Sequence, residues 1–253
     1  MDITADMPVN GQETVQHLTY SVVLPIYNER DNLARLFTEI TDSMRKLARP
    51  YEVICVDDGS TDDSRSFIKG FRRDHPEFRL IAFRRNMGQS AALAAGFLGA
   101  TGDYVITMDA DLQNDPADLA GLVDYLDRFD MVTGWRQERH DSWLTRVSSR
   151  IANRVRNLLS REEIRDTGCS LKIMKRTYLN KIKMFKGMHR FLPTLMKMEG
   201  ARVIEVPVSH RPRTAGVSSY GVWDRAFSGL RDLMALRWMQ DRQIQFDITE
   251  EDT

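Results

Sequence analysis

Short apolar runs alternate with amphipathic stretches along the first half of this chain, and that alternation constrains the fold more than any other feature. The runs Thr19–Ile26, Tyr51–Val56, Phe78–Phe83, Asp103–Met108 and Met131–Gly134 are rich in β-branched and aromatic residues, as buried strands are. Between the first two, Leu33, Leu36, Phe37, Ile40, Met44 and Leu47 recur at helical spacing. Further helices are predicted over about 63–72, 90–99 and 116–127, the last burying Leu119, Leu122, Val123 and Leu126. A β-α-β-α order with short exits predicts an α/β domain: a mostly parallel sheet with helices on both faces. Ligands of such sheets sit beyond the carboxyl ends of the strands.

Polar residues gather at those ends: Tyr27-Asn28-Glu29, Asp57-Asp58, Arg84-Arg85, Asp109-Ala110-Asp111 and Arg136. The fourth exit reads Met108-Asp-Ala-Asp-Leu-Gln113. If the chain stays extended there, Asp109, Asp111 and Gln113 point the same way. Carboxylate and amide oxygens suit Mg²⁺ or Mn²⁺, ions that also keep phosphate oxygens as ligands. Asp115 and Pro116 then read as the cap and first residue of a helix. A lone Asp-x-Asp is more often a turn cap than a metal site. Five reactive strand exits are hard to assign to capping alone.

The second half is less regular. A helix is predicted over 144–159, with Arg146, Arg150 and Arg154 four residues apart. From Trp135 to Arg165 there are eight Arg and four acids, and no Lys. Such a stripe is commonly a solvated surface. Arginine forks also suit phosphate, and basic residues suit an anionic membrane. Further strands are expected at 171–174 and 202–208, with a helix opening at Gly187–Pro193. A basic, turn-rich loop spans 209–221. The helix over 222–242 places Trp223, Phe227, Leu230, Met234 and Trp238 on one face, either packed on the core or lying in a membrane interface. Residues 1–16 and 243–253 read as tails, leaving 17–221 as the main domain.

Balanced charge, with 36 basic and 36 acidic residues, argues against a general nucleic-acid binder. The two cysteines, Cys55 and Cys169, lie in apolar runs and read as buried free thiols. No signal peptide or membrane-spanning run is recognised, so a cytoplasmic, peripheral protein is expected.

The segments Val22-Val-Leu-Pro-Ile-Tyr-Asn-Glu29, Val56-Asp-Asp-Gly-Ser-Thr-Asp62, Arg85-Asn-Met-Gly-Gln89, Met108-Asp-Ala-Asp-Leu-Gln113 and Gly134-Trp-Arg136 together resemble the family-2 glycosyltransferases. The likeness is closest to the polyprenyl-phosphate sugar transferases, the group containing dolichyl-phosphate mannosyltransferase and the bacterial undecaprenyl-phosphate glycosyltransferases. It runs from about Thr19 to Trp238. The resemblance implies a GT-A fold with C-terminal amphipathic helices and a UDP- or GDP-sugar donor. It implies that Pro25, Tyr27, Glu29, Val56 and Asp58 hold base and ribose, with Asp57 beside them. Asp109, Asp111 and Gln113 would hold Mg²⁺ or Mn²⁺ against the diphosphate, and Ala110 would touch the nucleotide. Arg136 would reach the phosphates of donor and acceptor, and Arg213 would close a mobile loop on the donor. Arg146, Ser149 and Arg150 fall near an acceptor phosphate, and Asp166 and His189 near sugar or acceptor. Gly216-Val-Ser-Ser219 departs from the family's loop ending, so the role of a lysine found there has no support. Members of the bacterial group often carry C-terminal transmembrane helices. None is recognised here, which favours an amphipathic helix or a membrane-protein partner.

The reaction so implied is inverting, metal-dependent transfer of a hexose or hexuronic acid to a polyprenyl phosphate. A phosphate oxygen is already anionic, so no general base is needed. A hydroxyl acceptor would need one, with Asp166 and Glu138 as candidates. Two alternatives stand: a soluble family-2 transferase acting on a saccharide or protein hydroxyl, and a non-catalytic nucleotide-sugar-binding subunit. A turn cap explains Asp166, and a hydrogen bond at a helix start explains His189, as readily as substrate contact does.

Overall fold

The computed structural model describes residues 19–136, 164–212 and 222–244. Seven strands form one sheet: β1 (Tyr20–Ile26), β2 (Tyr51–Asp57), β3 (Phe78–Ala82), β4 (Tyr104–Thr107), β5 (Met131–Arg136), β6 (Lys172–Lys175) and β7 (Val203–Val208). Their order is β3-β2-β1-β4-β6-β5-β7. β1 pairs in parallel with β2 and β4, β2 with β3, and β5 with β7, while β6 runs antiparallel to both its neighbours. The sheet is therefore mostly parallel, as the alternation predicted. The antiparallel β6 brings its lead-in, Asp166–Ser170, to the edge where the parallel strands end.

Alternation along each strand builds two cores. Val22, Leu24, Val53, Cys55, Ile106, Val132 and Ile173 face one layer, with Leu33, Leu36, Phe37 and Ile40 of α1 (Arg30–Leu47) and Ile68 of α2 (Ser64–Phe71). Val23, Ile54, Val56, Val105, Met131 and Met174 face the other. There they meet Leu93 and Phe97 of α3 (Gln89–Gly99) and Leu192 and Leu195 of a later helix. A side-chain period of two lets one strand serve both layers. The odd residues of β1 bond toward β4 (Val23 O to Met108 N) and the even ones toward β2 (Ile26 O to Asp58 N). The donor that Pro25 lacks thus falls on the β4 side, where pairing stops at Val23↔Thr107. On the β2 side pairing continues through Ile26↔Asp57.

The helix expected over 116–127 is shorter. A 3₁₀ turn at Pro116–Asp118 leads into α4 (Leu119–Val123). Tyr125 and Leu126 then donate to Leu122 and Val123, i→i−3 bonds that end the α-helix in tight turns. After β6 come α5 (Arg176–Leu179), a 3₁₀ turn at Met188–Arg190 and α6 (Leu192–Met198). The final helix, α7 (Val222–Asp241), buries Leu233 and Leu236 in the second core. Its Met234 and Trp238 are each 64% exposed. This helix therefore packs on the domain through leucines off the predicted aromatic face and turns part of that face outward. Among the described residues, no helix is long and apolar enough to cross a membrane. The predicted basic helix over 144–159, with Arg146, Ser149 and Arg150, lies outside the described residues, as do the first tail, residues 245–253 of the second and most of the 209–221 loop, Arg213 included.

Candidate active site

The site is assembled from strand exits. At the β1 exit Asn28 takes a left-handed conformation (φ 56°), and its Oδ1 accepts the Thr61 N–H at 2.8 Å, tying this exit to that of β2. Tyr27 is exposed, and Glu29 accepts from the Asn32 amide at 2.6 Å. Asp57 is fully buried; it accepts the Ser60 N–H and pairs with Arg65 at 2.5 Å, which also donates to Phe83 O. Its carboxylate is thus engaged within the protein. Asp58 reaches across to the β3 exit, accepting the N–H groups of Met87 (2.7 Å) and Gly88 (2.9 Å). Burial raises the Asp58 pKa, and the Asp57 charge adds to the rise. Gly59, at φ 73°, lies against the Arg85 backbone, where any Cβ would overlap the carbonyl carbon.

The Asp109–Asp111 segment is a turn, not the extended strand end expected from alternation. β4 stops at Thr107, and Leu112 takes φ 62°. Hydrogen bonds from near and distant residues hold this turn. Asp111 Oδ1 accepts the Gln113 N–H at 3.2 Å, and the Asp109 N–H donates to Ser170 Oγ, also at 3.2 Å. Ser170 Oγ in turn donates to Asn114 Oδ1 (2.6 Å), and Gln89 Nε2 donates to Asp109 Oδ1 (2.7 Å). Asp115 caps the following turn by accepting from Ala117, as predicted. Burial raises the Asp109 pKa, and the nearby Asp111 charge raises it further. A neighbouring negative charge that opposes ionisation of Asp109 is one a bound cation would offset. Among the described residues no three His, Cys, Asp or Glu side chains converge on one point. The described residues thus offer the Asp109 and Asp111 carboxylates, which suit an Mg²⁺ or Mn²⁺ shell completed by water and substrate phosphates. The β7 exit closes over this turn. The Arg211 N–H donates to Gln113 O (2.9 Å), and its guanidinium pairs with Asp115 (2.6 Å) and Glu39 (2.7 Å).

Arg136, at the end of β5, is gripped by Asp166. Nε donates to Oδ2 at 2.7 Å, Nη2 to Oδ1 at 2.9 Å, and the Arg136 N–H to Oδ2 at 3.2 Å. Asp166 also caps the turn at Gly168, and Glu205 receives the N–H groups of Arg165 and Asp166. Asp166 is therefore both the turn cap foreseen and the partner that orients Arg136. His189 contacts Ser90 Oγ through Nδ1 at 2.9 Å, and Ser90 Oγ also accepts the Gly187 N–H. Burial, with help from Arg190 and Lys172, lowers the His189 pKa to about 4. His189 is thus a neutral ring at pH 7.

Below Asp109 lies a cavity of about 250 Å³, with Gln89, Ser170, Lys172, His189 and Arg190 among its walls. Ser170, Asn114, Lys172, Ser90 and Glu205 are not flagged by the sequence, and Gln89 enters it only as part of the Arg85–Gln89 segment. The signal was Lys172, a charge inside the apolar run Leu171-Lys-Ile-Met174. Lys172 lies off the parallel-strand exits, because β6 enters the site from the opposite direction.

The mostly parallel sheet, with aspartates and a held arginine at its carboxyl edge, has the GT-A glycosyltransferase fold. The chain belongs to glycosyl transferase family 2, whose model matches residues 21–183. It is 36% identical over 239 residues to dodecaprenyl-phosphate galacturonate synthase of Rhizobium johnstonii, covering 90% of this chain and 70% of that protein. Glucosyl-3-phosphoglycerate synthase from Mycobacterium tuberculosis, solved with Mn²⁺, UDP and glucosyl-3-phosphoglycerate, shares the fold at a TM-score of 0.64 and 20% identity (88% of this chain, 80% of that one). A mannosyltransferase from Pyrobaculum calidifontis, in complex with GDP-Man and Mn²⁺, does so at 0.58 and 21% (89% and 63%).

Proposed function

We propose that this glycosyltransferase moves a hexose or hexuronic acid from a UDP- or GDP-linked donor to a polyprenyl phosphate, with inversion, at the cytoplasmic face of a membrane. The observation that carries this reading is the Asp166 grip on Arg136. It presents an oriented cation at the strand edge, and it occupies both oxygens of Asp166, the candidate base that lies among the described residues. An anionic acceptor needs the cation and dispenses with the base, whereas a hydroxyl acceptor needs the base. The name of the Rhizobium relative supports the same acceptor class.

Asp109 and Asp111, with Gln113 beside them, would hold a divalent cation. That ion, when bound, supplies Lewis-acid stabilisation of the departing diphosphate. Gln89 and Ser170, the latter tied to Asn114, keep Asp109 in place, so little reorganisation is needed when charge develops. Pro25, Tyr27, Glu29, Val56 and Asp58 border the exits of β1 and β2, where base and ribose would lie. Arg213 and the arginines at 146 and 150 would add positive charge from the donor and acceptor sides. Exposed Met234 and Trp238 of α7 suit a lipid headgroup layer.

The test is incubation of purified protein with UDP- and GDP-sugars, polyprenyl phosphate and Mg²⁺ or Mn²⁺, with Asp111→Ala as control. A lipid-linked sugar made by wild type and not by the variant is expected. No lipid-linked product with any donor, beside transfer to a soluble sugar, overturns the proposal.

A further inference from the structure

The cavity below Asp109 holds more positive charge than the reading above uses. Lys172 is only 3% exposed, on an interior strand. Its Nζ donates to Cys169 O, its one hydrogen-bond partner among the described residues. An ammonium carries three donors. Two are therefore without a hydrogen-bond partner among the described residues: the Asp109 and Asp166 charges act on Lys172, but no salt bridge joins them to it, and each is engaged elsewhere, Asp109 by Gln89 and Asp166 by Arg136. Arg190 enters from the 3₁₀ turn opposite, and among the described residues no carboxylate pairs with it. His189 between them is tied to Ser90. Among the described residues Asp109 is the one carboxylate in the lining, and its Oδ1 already accepts from Gln89. Two cations thus border a space that adjoins the place of the sugar–phosphate bond and is small enough to select a single sugar ring.

We infer that Lys172 and Arg190 bind the carboxylate of a hexuronic-acid donor, making this cavity a selector for uronic acids over neutral hexoses. The inference rests on the donor reading above. A hexose presents only a hydroxymethyl group at that ring position and would leave both cations unpaired. A C6 carboxylate satisfies them with charge-assisted bonds, and Arg190 can grip it with two parallel N–H groups. Specificity of this kind is steep, because the wrong substrate strands buried charge.

The test compares donors that differ only at C6: UDP-galacturonic acid with UDP-galactose, and GDP-mannuronic acid with GDP-mannose. Binding to the full chain is measured calorimetrically with Mn²⁺ and without acceptor; kcat/KM is measured with polyprenyl phosphate. Wild type is expected to favour the uronate of at least one pair by 10-fold or more. Arg190→Gln and Lys172→Met should each shrink the uronate-to-hexose ratio by about 10- to 100-fold, the size of a lost charge-assisted bond. The ratio is measured on whatever folded protein remains, so partial unfolding does not mimic the effect. Arg190→Lys should recover part of the ratio. Equal or tighter binding of the hexoses, or equal losses for both donors, overturns the inference. Selective uronate binding without lipid transfer would refute the acceptor reading and leave the cavity assignment standing.

Discussion

Replacing Asp166 by Asn separates the orienting role argued here from that of a general base. The side chains of Arg136 and Asp166 are 18% and 8% exposed, so their pairing is largely shielded from water. Asn keeps one acceptor oxygen but removes the charge and one limb of the bidentate contact. Breaking one partner of a buried pair costs about 3–5 kcal/mol, and the retained acceptor brings the expected loss to about 2–4 kcal/mol in urea unfolding. With Arg136 no longer held, kcat/KM should fall about 10- to 100-fold, because a small misplacement of an electrostatic group is expensive. The decisive readout is a double-mutant cycle with Arg136→Gln. Once either residue is gone, the other has little left to lose, so the double variant should be less destabilised than the sum by about 2 kcal/mol. Transfer rates should show the same non-additivity. A base predicts a different pattern: a fall of about 10²- to 10⁴-fold in kcat, little change in stability, and independence from Arg136. Additive losses, or an Asp166→Asn protein as stable as wild type, would refute the orienting role.

His189 gives a pH signature. Its folded pKa, about 4, lies below the ordinary 6.5, so the unfolded chain binds more protons between those values and stability falls as pH drops through that window. His189→Gln should remove about 2–3 kcal/mol of the decline between pH 7 and 4, read from urea midpoints; an unchanged decline would contradict the buried neutral ring. Asp109 has a raised pKa, so above the ordinary carboxylate range its charge works against folding. Asp109→Asn should therefore stabilise the metal-free protein at pH 7, by roughly 1 kcal/mol, and abolish the rise in melting temperature that Mn²⁺ gives wild type; a retained rise would remove Asp109 from the metal site. Gly59→Ala should cost about 1–3 kcal/mol, from its φ of 73° and the Arg85 backbone beside it, and should weaken nucleotide binding by displacing the loop that Asp58 holds; unchanged nucleotide affinity would count against that loop's role.

The layout of the domain was legible because hydrophobic alternation and polar strand exits are local features. Each of the seven strands lies where its apolar run falls, and the cap at Asp115 was readable from Asp-Pro alone. Two things were not local. The first is the direction of β6: nothing in Leu171-Lys-Ile-Met174 says which way it runs, yet that direction brings Asp166, Ser170 and Lys172 to the active edge. The second is the bend after Thr107. Alternation assumed extended backbone, whereas the positive φ of Leu112 depends on hydrogen bonds to Ser170 and Arg211, some 60 to 100 residues away. The same distance explains Arg136 and Asp166, each flagged separately but paired only by the fold. In α7, spacing picked out an apolar face but not the leucines that the core takes.

The central claim is that the acceptor brings its own anion. Its most direct test offers the purified enzyme polyprenyl phosphate and the corresponding free polyprenol side by side, in the same vesicles, with a labelled nucleotide sugar and Mn²⁺. The account predicts a lipid-linked sugar from the phosphate and none from the alcohol. Comparable transfer to the alcohol would contradict it, because that reaction needs the base that Arg136 holds occupied.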